Sequence, residues 1–234
     1  GGIQPNPLAM RIDGTLRPDD ILAAIKPDDI HFPKTKLVCL ENTHAGMPLP
    51  SHYAHEISQL CKGYGLAMHL DGARIFNASV FRKLEPLDAV KDFDSVSFCL
   101  SKGLGAPIGS VLVGDKEFIE TGRRWRKVLG GGMRQAGVIA AAGLYALKHN
   151  IKNLIYDHEK ASELFIALSA RFGANNIRLA TNMVHLEINE DLYTSLASHL
   201  AKGGVKVGRP RWVLHKDVSQ PGVEKIKQLI LSFK

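Results

Sequence analysis

Apolar residues fall in short, dense runs through the first half of the chain, and helical spacing fills the gaps between them. Lys36–Glu41 (KLVCLE), Leu66–Leu70 (LAMHL), Ser95–Leu100 (SVSFCL) and Gly109–Val113 (GSVLV) read as strands. Between the first two, Tyr53, Ile57 and Leu60 lie on one stripe of a helix over 51–63, which Gly63 or Gly65 ends. Short hydrophobic strands separated by helices predict a mainly parallel sheet with helices on both faces. Ligands of such sheets sit beyond the carboxyl ends of the strands. Asp71 and Lys102 each follow a strand run closely, so they are expected to meet on one edge of the sheet.

The second half changes character. A helix is expected over 118–128, broken by Leu129–Gly132 (LGGG), then an alanine-rich helix over 133–149 and another over 151–172. After Gly173 come strands at 177–179, 183–188, 205–207 and 212–214 and helices at 191–202 and 219–233. This is an α/β chain with a large domain over 1–150 and a small α+β C-terminal domain over 151–234.

Composition narrows the classes. With 45% hydrophobic and 23% charged residues the chain has a globular make-up. No apolar run approaches the ~20 residues that span a bilayer, and no signal-peptide pattern follows Gly1, so a soluble piece of a longer chain is expected. The net charge is +7, yet the basic residues are dispersed apart from Arg123, Arg124, Arg126 and Lys127. That single cluster reads as a solvated helix face or a pocket for a small anion rather than as a nucleic-acid site. Cys39, Cys61 and Cys99 show no CxxC spacing and read as buried, reduced core residues, which suits a cytoplasmic setting. His31, His44 and His69 lack metal-ligand spacing, so no metal is expected.

Two motifs carry chemistry. In Ser101-Lys102-Gly103-Leu104-Gly105 a lysine sits between a strand and glycines. A desolvated lysine there has the depressed pKa that imine formation needs, and the glycines let a flat ligand approach. Alone, it also reads as a surface-loop lysine. In His69-Leu70-Asp71-Gly72-Ala73-Arg74 a carboxylate closes a strand. It can face a pyridine nitrogen and keep it protonated, or simply cap the next helix.

The pair, in this order and about thirty residues apart, resembles the fold-type-I pyridoxal-phosphate (PLP) enzymes. DDIHFPKT, ENTH, HLDGARIFNA, FCLSKGLGAPIGS and RRWRKVLGGGMRQAG together resemble the low-specificity L-threonine aldolases, densely over 28–149 and sparsely afterwards. The resemblance implies a PLP-dependent cleavage of threonine or allo-threonine to glycine and an aldehyde, in a homo-oligomer, dimeric or tetrameric. It further implies that Lys102 holds the cofactor, Asp71 faces the pyridine nitrogen and Arg74 lies beside the phenolic oxygen. His31 falls near the substrate's β-hydroxyl. Arg211, with Arg209 as the neighbouring alternative, grips the substrate carboxylate. Lys127 and Arg134 reach a cofactor phosphate across a subunit interface. The family's Gly-Thr phosphate turn and ring-stacking histidine belong to a segment ahead of Gly1, and Ala45–Pro48 departs from the family's usual Asn and Gly pair. Two other readings stay open: a related PLP β-eliminating lyase, or a non-catalytic assembly subunit.

Overall fold

The computed structural model describes residues 2–234. Strands β1 (Leu37–Glu41), β2 (Ala67–Asp71), β3 (Ser95–Cys99) and β4 (Ser110–Gly114) form one sheet in that order. The first three are parallel, so their carboxyl ends share one edge, whereas β4 is antiparallel to β3. The reversal is made within 100–109, where Gly105 (φ +70°) and Gly109 (φ +120°) take backbone angles that a side chain would strain. The Leu100 N–H closes that loop on the Gly109 carbonyl at 2.9 Å.

Helices α2 (Tyr53–Gly63) and α3 (Ile75–Arg82) cover one face of the sheet. Ile57, Cys61, Ile75 and Ala78 pack there with Val38, Leu40, Met68, Leu70 and Val96. Among the described residues the other face is open rather than helix-covered as expected, because the period of two sends Leu37, Cys39, Ala67 and Asp71 outward. Cys39 is therefore exposed, against the expectation of three buried cysteines, while Cys61 is buried and Cys99 half-buried. Periodicity did not single out α3 or the short helix α1 (Pro18–Ala24), which starts on a proline at its first position and buries Ile21.

Helices α4 (Lys116–Val128), α5 (Gly137–His149) and α6 (Leu154–Phe172) follow. The second half then builds a three-stranded antiparallel sheet from β5 (Ile177–Ala180), β6 (Met183–Leu186) and β7 (Arg211–Val213), backed by α6, α7 (Glu190–Lys202) and α8 (Gln220–Ser232). The 205–207 segment is not the strand expected. After the Gly203–Gly204 turn the Val205 N–H bonds back to the Leu200 carbonyl at 2.9 Å, and the valines pack against the second core without a ladder partner. The two hydrophobic cores change over inside α6: Leu154 belongs to the first, Ala161 and everything beyond to the second.

Candidate functional site

The carboxyl edge of β1, β2 and β3 gathers the chemistry. Register sets Glu41 beside Asp71 and Asp71 beside Ser97. Gly72 is obligatory at this crossing: its N–H donates to the Ser97 carbonyl at 2.7 Å, and a Cβ there would lie 3.0 Å from that oxygen. The Asp71 carboxylate is exposed and accepts the Ala73 N–H at 3.0 Å. This local turn starts α3 from Arg74, which caps it. Arg74 is half-buried. Burial first, and then the nearby charge of Arg211, pull its pKa below the usual value, while Glu41, Cys99 and Asp71 oppose them. Two guanidiniums held within electrostatic range of each other repel unless an anion joins them.

Lys102 lies three positions beyond β3, in a tight loop. The Gly105 N–H donates to the Lys102 carbonyl at 2.8 Å and the Ala106 N–H to the Leu100 carbonyl at 3.0 Å. The Asn150 side-chain amide holds the Leu104 carbonyl at 2.7 Å. The loop is thus fixed while its lysine side chain stays exposed.

Arg211 arrives from the second half, exposed at the start of β7 and paired in register with His185 of β6. A turn after β1 brings that sheet to the edge. His44 and Met47 exchange backbone hydrogen bonds at 3.0 and 2.7 Å, with Gly46 at φ +87°. The Ala45 carbonyl accepts from His185 Nε2 at 2.8 Å, and the Gly46 carbonyl from the Thr181 hydroxyl at 2.8 Å. A side chain on Gly46 would meet the Ala180 carbonyl at 2.8 Å. Burial lowers the pKa of His185, with the charges of Arg178 and Arg211 pushing the same way and the bond to Ala45 opposing them. His44 Nδ1 pairs with Glu41 at 2.8 Å on the same edge. Sequence reasoning passed over Glu41 and His185; a histidine inside the apolar run MVHLE was the available signal for the latter.

Other expected residues are not gathered here. His31 sits in an exposed turn ahead of β1, and its backbone N–H donates to the Asp29 carboxylate at 2.8 Å. Arg209 is exposed in the bend before β7. Lys127 ends α4, a helix with no buried residue, and folds over Gly132, whose Cβ would lie 2.8 Å from its Nζ. Arg134 is exposed in the following loop. In the same stretch of chain, Trp125, Val128, Leu129, Met133, Val138, Leu144 and Tyr145 are all exposed.

Among the described residues Asp71, Arg74, Lys102 and Arg211 enter no ion pair. One amine, the exposed Asp71 carboxylate and two guanidiniums outside any ion pair on one edge match the chemistry of a flat, zwitterionic pyridine aldehyde and of an amino-acid carboxylate. No group of metal-ligating side chains occurs among the described residues.

The chain was compared with known proteins. The family described as Beta-eliminating lyase matches residues 1–191. The Low specificity L-threonine aldolase of Escherichia coli (strain K12) is 44% identical over 229 residues, covering 97% of this chain and 68% of that protein. The Probable low-specificity L-threonine aldolase 2 of Arabidopsis thaliana is 43% identical over 242 residues, with 97% and 68% coverage. The solved structure of a putative L-allo-threonine aldolase from Listeria monocytogenes superposes with a TM-score of 0.77 at 20% identity, covering 97% of this chain and 68% of that one. A serine palmitoyltransferase from S. paucimobilis with bound PLP-myriocin shares the fold at a TM-score of 0.63 and 16% identity, over 92% of this chain and 57% of that one.

Proposed function

Because the chain belongs to the beta-eliminating lyase family, and within it to the low-specificity L-threonine aldolases, we propose that it is a PLP-dependent aldehyde-lyase that cleaves L-threonine or L-allo-threonine to glycine and acetaldehyde. The observation that carries this reading is the convergence of Asp71, Arg74, the Lys102 loop and Arg211 on one strand edge. PLP, when bound, supplies the electron sink for the pair released as the Cα–Cβ bond breaks.

The chain's own residues do the rest. Lys102 offers the amine that holds the cofactor aldehyde and returns to release product. Asp71 would keep a proton on the pyridine nitrogen, and Arg74 would face the phenolic oxygen. Arg211 grips the substrate carboxylate with its fork, which orients the Cα–Cβ bond for cleavage. His31, or a water it positions, takes the β-hydroxyl proton. The exposed apolar residues between 125 and 145 support a homo-oligomer, a tetramer by family likeness, in which Lys127 and Arg134 serve a neighbour's phosphate. No helix among the described residues is long and apolar enough to cross a membrane. A cytoplasmic enzyme of threonine catabolism that supplies glycine is the setting we infer.

The test is product analysis of the PLP-loaded protein with threonine. Glycine and acetaldehyde are expected; pyruvate-type keto acids with ammonia would make it a β-eliminating lyase of another kind. Lys102→Ala should abolish both activity and the visible band of lysine-bound PLP. A retained band would overturn the assignment of Lys102.

A further inference from the structure

The reaction described above leaves one buried polar pair without a task. His158 lies on α6 where the two cores change over, and Asn77 lies one turn into α3, the helix that Arg74 opens. Both are buried, Asn77 at 3% exposure and His158 at 8%. They come from positions 81 residues apart, and His158 Nε2 meets Asn77 Oδ1 at 2.9 Å. Burial lowers the pKa of His158 to about 4, so the ring is neutral at neutral pH, and the amide oxygen selects the tautomer with its proton on Nε2. His158 Nδ1 is then a bare acceptor, buried with no partner among the described residues. An apolar residue would avoid that cost, so the hydrogen bond to Asn77 is what the imidazole contributes.

The other end of Asn77 lies close to the active loop. A Cβ built on Gly103 would lie 3.4 Å from Asn77 Nδ2 and 2.9 Å from Leu154 Cδ2. Gly103 follows Lys102 directly, and its lack of a side chain lets α3 and α6 close on the loop backbone. Lys216 closes on the same loop from the far side, its Nζ 2.7 Å from the Cβ position of Gly105.

We propose that His158 and Asn77 form a positioning strut: His158 fixes the Asn77 amide, and Asn77 occupies the space beside Gly103 so that the adjacent Lys102 amine is held for the cofactor's aldehyde. The pair touches neither cofactor nor substrate and acts through the loop. A site held to within about half an ångström needs such support, and a lysine in a loose loop forms and re-forms its cofactor bond poorly. The inference deepens the PLP reading and rests on it.

The experiment compares wild type with His158→Leu, which keeps apolar volume and loses the donor, and His158→Gln, which places an amide N–H at similar reach. PLP is titrated into each apoprotein and followed by the visible band. Hydrogen exchange of the Gly105 and Ala106 amides is measured in parallel, because their bonds to Lys102 and Leu100 report the loop. His158→Leu should weaken PLP binding and speed exchange of both amides, each by about tenfold, and lower kcat with the amino-acid KM little changed. His158→Gln should restore all three to within about threefold. Unchanged PLP affinity and exchange in His158→Leu, or a Gln variant as impaired as the Leu variant, overturns the strut. If wild type itself forms no visible band, the PLP reading falls, and faster loop exchange in His158→Leu would then mark the pair as a scaffold contact only.

Discussion

Asp157 and His158 stand side by side near the start of α6, and the same burial pushes them in opposite directions. Asp157 is 3% exposed; desolvation raises its pKa to about 6, against the pull of Lys160 at 3.8 Å. His158 is lowered to about 4 by desolvation. The raised carboxyl costs nothing at low pH, and its penalty grows as pH climbs from its ordinary value of 3.8 towards about 6. The lowered imidazole costs nothing above its ordinary 6.5, and its penalty grows as pH falls towards about 4. Each penalty is about 3 kcal/mol when complete and changes by about 2 kcal/mol between about pH 4.5 and 7. The two nearly cancel in the wild type across that window. Asp157→Asn should unmask the histidine: relative to wild type, the variant gains about 2 kcal/mol on going from acid to neutral pH. His158→Gln should gain by a similar amount in the reverse direction. Losing the Lys160 contact in Asp157→Asn adds an offset between the curves, so the change with pH is the quantity read. Urea unfolding of the apoproteins at four or so pH values measures this, with melting shifts of about 5 °C as a check. Difference curves that are flat with pH, or that slope the same way for both variants, would refute the burial argument.

Three further outcomes follow from the site. Asp71→Asn keeps the acceptor for the Ala73 N–H, so stability should move by less than about 0.5 kcal/mol. The lost charge is worth about 4 kcal/mol at about 4 Å, so kcat should fall by about a thousandfold in steady-state assays. Arg211→Lys keeps the charge without the fork and should raise KM for threonine by about tenfold or more, while Arg209→Ala should leave it within about twofold; the opposite ranking would move the clamp to Arg209. Gly105→Ala places a side chain at φ +70° against the movable end of Lys216, and should cost about 1–2 kcal/mol of stability from backbone strain, read as a lower melting temperature.

The sequence by itself determined the strands of the first sheet, the carboxylate and lysine at their ends, and the change to an α+β pattern after Gly173. These features are local: a period of two, a run of apolar residues, a glycine after a charged residue. It also determined the family, because five motifs keep their order and spacing. It misjudged Cys39 and the 205–207 segment, where an apolar run alone cannot tell a covered face from an open one or a paired strand from an unpaired one. Tertiary structure alone decided which distant residues meet. The turn at 44–47 latches onto His185 and Thr181, and so delivers Arg211 to Arg74 across more than a hundred residues of chain. His158 reaches Asn77 and, through it, the loop of Lys102. Such contacts depend on the packing of whole helices and sheets against one another, and no periodicity within a short window encodes them.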